Sequence, residues 1–190
     1  MKLSKIVVKS NEVLNLNLEV FENTEFILEL DSNAVVEGRI NFVGMENLNF
    51  KFICKVLGLN AKLDLVGLYD LKKNESLNVD LIQVHSAKNS KSSVIFKGIL
   101  QDQAQIKFNG CMDVQKNCSG CELVQSNKNL LVNGGKAICS CPSMKILTKD
   151  VKCSHSIEIG QIDEEQLFFL QCRGLNDEKA NDVLKKSFLF

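Results

Sequence analysis

From residue 1 to about 160 the chain alternates apolar and polar residues with a period of two. Short clusters of Asn, Gly, Ser, Lys or Asp interrupt the alternation at intervals of about ten residues. EFILEL, VVEGRINFV, LNFKFICKVLG, AKLDLVGLYDL, SLNVDLIQVH, SVIFKGIL and AQIKFNGCMDV all follow this pattern. Successive side chains of a strand point to opposite faces, so each segment reads as a strand with one buried face. The spacing fits a β-sandwich, a barrel or a solenoid. Tryptophan is absent, proline occurs only at Pro142, Asp-Gly is absent, and the Asn-Gly pair of tight hairpins occurs only at Asn109-Gly110 and Asn133-Gly134. These features favour the solenoid. The Asn109-Gly110 pair, which is followed by more alternation, leaves a hairpin open at that point.

The period changes near the C-terminus. Asp163 and Gln166 are spaced as a capping box, Leu167 to Arg173 continues as a short helix, and Gly174 suits a left-handed stop. Asn176 suits the N-cap of a second helix, with Ala180, Val183, Leu184 and Phe188 sharing one face. The pattern therefore predicts an all-β body over 1–160, a solenoid ahead of a sandwich or barrel, followed by a two-helix tail over 161–190. Its helices are expected near 164–173 and 177–188.

Composition narrows the function. Twenty-three basic and 23 acidic residues cancel over 190 positions, so no field of one sign argues for nucleic acid or a membrane surface. The cations are nearly all lysine, with arginine only at Arg39 and Arg173. No apolar run approaches the roughly 20 residues of a membrane helix, and MKLSKIVVKSNEV alternates where a signal peptide needs a continuous apolar block. The expected compartment is the cytoplasm. In that reducing setting the eight cysteines are expected as buried small hydrophobes or as ligands, not as a disulfide framework.

Two cysteine groups stand out: Cys118 and Cys121 as CxxC, and Cys139 and Cys141 as CxC, about twenty residues further on. If that interval is one coil, the pairs stack on neighbouring coils and four thiolates converge as a metal site. The spacing also approaches a zinc ribbon, except that the second pair is one residue short. Burial as small core residues is the competing reading. Cys153 and His155 share one strand face and form a credible half-site, since neutral imidazole is a good iron ligand. A packed cysteine and a satisfied histidine are the alternative. His85 lies in a Ser-rich turn and receives no chemistry. Glu158, Asp163, Glu164 and Glu165 could suggest paired carboxylates, but the last three suit a helix N-terminus. Asn133-Gly134-Gly135-Lys136 lacks the spacing of a phosphate loop. A polysaccharide-cleaving β-helix is disfavoured, because no Asp, Arg and Lys cluster falls on one stacked face.

The motifs HSAKNSKSSVIFKGILQDQAQIKFNG, VQSNKNLLV, CPSMKI and DVKCSHSIEIGQIDEEQLFFLQCRGL, in this order and at these distances, resemble the SufB/SufD family of SUF iron–sulfur assembly scaffolds. The likeness runs from about His85 to the C-terminus. It implies an all-β fold with a right-handed parallel β-helix (β-solenoid) core over 1–160 and a short C-terminal two-helix tail, and non-catalytic scaffolding, with a SufC-like ATPase docked on the C-terminal helices. It also implies sulfur delivery from a cysteine desulfurase. Two residues point to the SufD branch: Asn127 stands where SufB has a sulfur-accepting cysteine, and Ser156 where SufB has a glutamate. The resemblance makes Cys153 and His155 candidates for cluster assembly at the junction of two scaffolds.

The remaining expectations follow from that likeness. The partners are a SufC-like ATPase and either a SufB-like paralogue or a second copy of the chain, and the cofactor is at most a transient iron–sulfur cluster or iron. Longer members also carry an N-terminal helical region and more β-helix, so the chain is expected to be either a natural short form or a fragment. In the tail, Phe169, Gln171, Arg173 and Lys179, with Phe190, are the candidate docking residues, and Arg173 is the main anchor because guanidinium pairs bidentately. The alternative function is a repurposed β-helix that serves as a metal-binding or protein-interaction module without cluster assembly.

Overall fold

The computed structural model describes residues 1–44, 46–139 and 143–189, with Cys139 described by its backbone alone. Its strands form two parallel sheets. One runs β1 (Lys2–Val8), β3 (Thr24–Leu30), β5 (Asn47–Val56), β7 (Ser76–His85), β9 (Gln105–Val114) and β11 (Lys136–Cys139), with β12 (Ser143–Ile146) also paired to β9. The other runs β2 (Val13–Val20), β4 (Val35–Phe42), β6 (Lys62–Leu71), β8 (Lys91–Gln101), β10 (Glu122–Val132) and β13 (Lys152–Gln161). Odd and even strands alternate between the sheets up to β11, so each coil adds one strand to each. This is the parallel β-solenoid that the alternation favours and the family likeness implies.

Strand burial alternates strictly in the central coils, as in β5 and β6. Inward positions carry Phe26, Phe50, Phe52, Phe96 and Phe108, all almost fully buried. Phe26 stacks on Phe52 with centroids 5.5 Å apart, and Phe96 meets Phe108 at the same distance. Each buried phenyl ring contributes about 1.5–3 kcal/mol relative to exposure.

One corner of the solenoid is built on asparagine. Asn11, Asn33, Asn60, Asn89 and Asn117 all have positive φ, between 56° and 64° apart from Asn33 at 55°. Left-handed backbone is costly for most L-residues and least so for Gly, Asn and Asp. Side chains also join coils, with Asn60 Nδ2 donating to Asn33 Oδ1 at 3.2 Å and Asn33 Nδ2 to Asn11 Oδ1 at 3.1 Å. Corners of this kind take the place of hairpin turns. Asn109-Gly110 is no exception, because it lies inside β9.

Helix α1 (Glu164–Cys172) begins at Asp163, whose side chain accepts from Glu165 N at 2.8 Å. Gly174 ends it at φ 90°. Helix α2 (Asp177–Leu189) is capped by Asn176 Oδ1, which accepts from Lys179 N at 3.0 Å. Both helices fall where they were expected. Ala180 is fully buried, and α2 packs against α1 and β8. Val183 departs from the expected apolar face and is exposed. Among the described residues no helix is long and apolar enough to cross a membrane.

Candidate functional site at the last coil

The interior changes chemistry towards the C-terminal coils. On β10 the inward positions are Leu123, Gln125, Asn127 and Asn129, all buried. Asn129 and Asn127 are satisfied through Tyr69, whose hydroxyl donates to Asn129 Oδ1 at 2.6 Å and accepts from Asn127 Nδ2 at 2.9 Å. Parallel pairing with β13 sets Leu123 beside Cys153, Gln125 beside His155 and Asn127 beside Ile157. Cys153 and His155 therefore both face inward, on the side they were expected to share. Because β13 is the last strand of its sheet, that face is only partly covered, and Ile159 is 52% exposed.

His155 Nδ1 lies 2.9 Å from Gln125 Oε1. Across the interior stands Gly110, where a Cβ would run into the Gln125 amide and come within 2.9 Å of His155 Cε1. Burial pushes the His155 pKa below the usual imidazole value, which favours the neutral ring. Its Nε2 is buried and lacks a hydrogen-bond partner among the described residues, as do Gln125 Nε2 and Gln83 Oε1. Neutral imidazole with an uncommitted ring nitrogen is the form that ligates metals.

Of the four thiols expected as a metal site, only Cys118 and Cys121 have described side chains. Cys118 and Cys121 are buried in a small cluster with Met112, Val114 and Leu123, against which Val151 and Cys153 pack. Cys121 Sγ donates to Ala87 O at 3.1 Å and lies 3.3 Å from Ser90 Oγ. Burial raises the Cys118 pKa, and the neighbouring Cys121 adds to it; burial and Cys121 do the same to Cys153. Raised values favour protonated thiols, which are poor ligands. Lys91 pairs with Glu122 and Glu122 with Lys152, so a coil here takes roughly 30 residues, not the twenty assumed from the sequence. The residue stacked under Cys121 is accordingly Val151, whereas Cys139 sits in the other sheet opposite Phe108. The register thus places the backbone of Cys139 in the sheet opposite to Cys121. Cys141 lies outside the described residues. Among the described residues, no three His, Cys, Asp or Glu side chains are grouped to hold a metal ion.

Sequence reading missed two positions. Gln125 was detectable as a polar residue at an inward position of an apolar alternation, although its partner required the register. His85 is fully buried, with Nδ1 2.7 Å from Ser90 Oγ and Nε2 2.7 Å from Ser92 Oγ. Gln83 Nε2 extends this chain by donating to Ser92 Oγ at 2.8 Å.

In the tail, Phe168 and Phe169 are exposed. The Arg173 guanidinium lies 4.7 Å from the Phe169 ring centroid. Gln171 Nε2 donates to Asp177 Oδ1 at 2.6 Å, which ties α1 to α2, and Lys179 is exposed. Glu164, Glu165, Phe168, Phe169 and Cys172 line an open hollow on α1. Phe190 lies outside the described residues.

Relatives share this sequence. SufD of Escherichia coli (strain K12), an iron–sulfur cluster assembly protein, is 27% identical over 168 residues, covering 88% of this chain and 39% of its own. A SufBD-family iron–sulfur cluster assembly protein of Mycobacterium leprae is 28% identical over 167 residues, covering 84% of this chain and 43% of its own. SufD of Plasmodium falciparum is 23% identical over 157 residues, 75% of this chain. The chain thus spans about two fifths of the length of the first two relatives. A family model described as SUF system FeS cluster assembly, SufBD core domain, matches residues 7–188, and the chain belongs to that family.

Proposed function

We propose that this chain is a non-catalytic, SufD-like scaffold subunit of the SUF assembly complex, and that iron or a nascent iron–sulfur cluster is its transient cargo. The observation that carries this reading is His155, which rests on rigid strand backbone beside the open end of the solenoid with Nε2 uncommitted. A neutral nitrogen donor suits ferrous iron, and Cys153 on the same face offers a second donor once a bound metal displaces its proton.

Two surfaces support the partners. On α1, exposed Phe168 and Phe169 with Arg173 stacked on the latter make an aromatic and cationic patch of the kind that anchors interfaces, suited to a SufC-like ATPase. Strand β13 pairs only with β10 among the described elements, and a free parallel edge is a template for another strand. That edge suits a SufB-like paralogue or a second copy of the chain. Deleting 163–190 tests the docking half: the truncated protein should keep its β-type circular dichroism and lose binding to the cognate SUF ATPase. Undiminished binding would reduce the tail to a cover for β8.

A further inference from the structure

We infer that Gln125 is a positioning residue that holds His155 in the Nδ1–H tautomer and so leaves Nε2 as the bare donor for iron. The inference rests on the reading of His155 as the cargo-handling residue. A neutral imidazole carries one proton, and an amide oxygen only accepts hydrogen bonds. With Gln125 Oε1 at 2.9 Å from Nδ1, the proton sits on Nδ1 and donates to that oxygen. The lone pair then falls on Nε2, the atom without a partner among the described residues.

The surroundings hold this arrangement. Gln125 is fully buried, in register between Val94 and His155 on the inward face. Gly110, across the interior, leaves the space that the amide and ring occupy, and any side chain there would displace both. Ligating histidines commonly donate their second N–H to an oxygen that fixes the tautomer, and loss of that oxygen weakens metal affinity by about 10–100-fold.

The test uses the whole chain labelled with ¹⁵N-histidine. The sequence contains two histidines, so two imidazoles appear, and His155→Asn assigns them. Long-range ¹H–¹⁵N spectra at neutral pH should show His155 with its proton on Nδ1. Gln125→Leu should move the population towards Nε2–H, and Gln125→Glu, which keeps an acceptor oxygen, should restore Nδ1–H. An Nε2–H tautomer in the parent protein, or an unchanged tautomer in a folded Gln125→Leu protein, would overturn the inference. Anaerobic titration with ferrous iron should broaden the His155 signals, with affinity about 10–100-fold weaker in Gln125→Leu. Iron that leaves His155 untouched while the tautomer pattern holds would instead overturn the cargo reading, and with it the role assigned to Nε2.

Discussion

Gln125 and His155 are in-register neighbours on adjacent coils, with Oε1 and Nδ1 2.9 Å apart, and Gly110 faces them both across the solenoid interior. A polar pair in this position is costly for a core and useful for a site. Each buried orphan atom forfeits hydrogen bonds to water, at about 1–3 kcal/mol.

Gly110 is therefore a sensitive position. Gly110→Ala should destabilise the fold by about 1–3 kcal/mol, because the new methyl group must displace the Gln125 amide or the His155 ring. Gly160→Ala, at an exposed site with nothing within 4 Å of the new Cβ, should change stability by under about 0.5 kcal/mol. Urea unfolding midpoints of the two variants check the contrast.

His85 gives the stability a pH dependence. Burial holds its pKa down at about 4, against 6.5 for an ordinary imidazole. Between these values the unfolded chain binds a proton that the folded chain refuses, so its contribution is complete above pH 6.5 and fades as pH falls towards 4. The full effect is about 3 kcal/mol. Unfolding at pH 7.5 and pH 4.5 should show a loss that His85→Gln reduces. Equal losses in both proteins would show that carboxylates alone set the acid limit.

The thiols should react according to burial. Cys172 is exposed, Cys111 and Cys153 are intermediate, and Cys54, Cys118 and Cys121 are buried. Under native conditions alkylation mapped by mass spectrometry should therefore reach Cys172 first among these six, and Cys54, Cys118 and Cys121 only on unfolding. Alkylation of Cys118 or Cys121 as fast as Cys172 would mean that their corner is open, and would revive them as ligands.

The asparagine corners should tolerate glycine better than branched residues. At Asn60, with φ 57°, valine would add about 1–2 kcal/mol of backbone strain and remove the bond to Asn33. Glycine would lose the bond without the strain. Thermal unfolding should rank parent, Asn60→Gly and Asn60→Val in that order of falling stability.

Much of this fold is legible along the chain because a parallel solenoid writes its inside and outside into alternate residues, as in LNFKFICKV, where Leu48, Phe50, Phe52, Cys54 and Val56 all point inward. The helix boundaries were legible too, since Asp163, Gly174 and Asn176 act through local backbone bonds. Coil length was not. It depends on how many residues the corners absorb, and the roughly 30-residue coil at β10 and β13 sets Cys121 over Val151. The side-by-side placement of Cys153 and His155 follows from strand parity alone, whereas Gln125 stands 30 residues from His155 and meets it only through the register.

Iron and acid-labile sulfide content measures the role of His155 most directly. The chain would be co-expressed with the proposed partners, a SUF ATPase and a SufB-like scaffold, purified anaerobically with whatever binds it, and assayed in parent and His155→Ala forms. The His155→Ala complex should assemble intact and carry little iron or sulfide, while the parent complex carries both. An intact His155→Ala complex with the parent's full iron and sulfide content would contradict the assignment of His155 to the cargo.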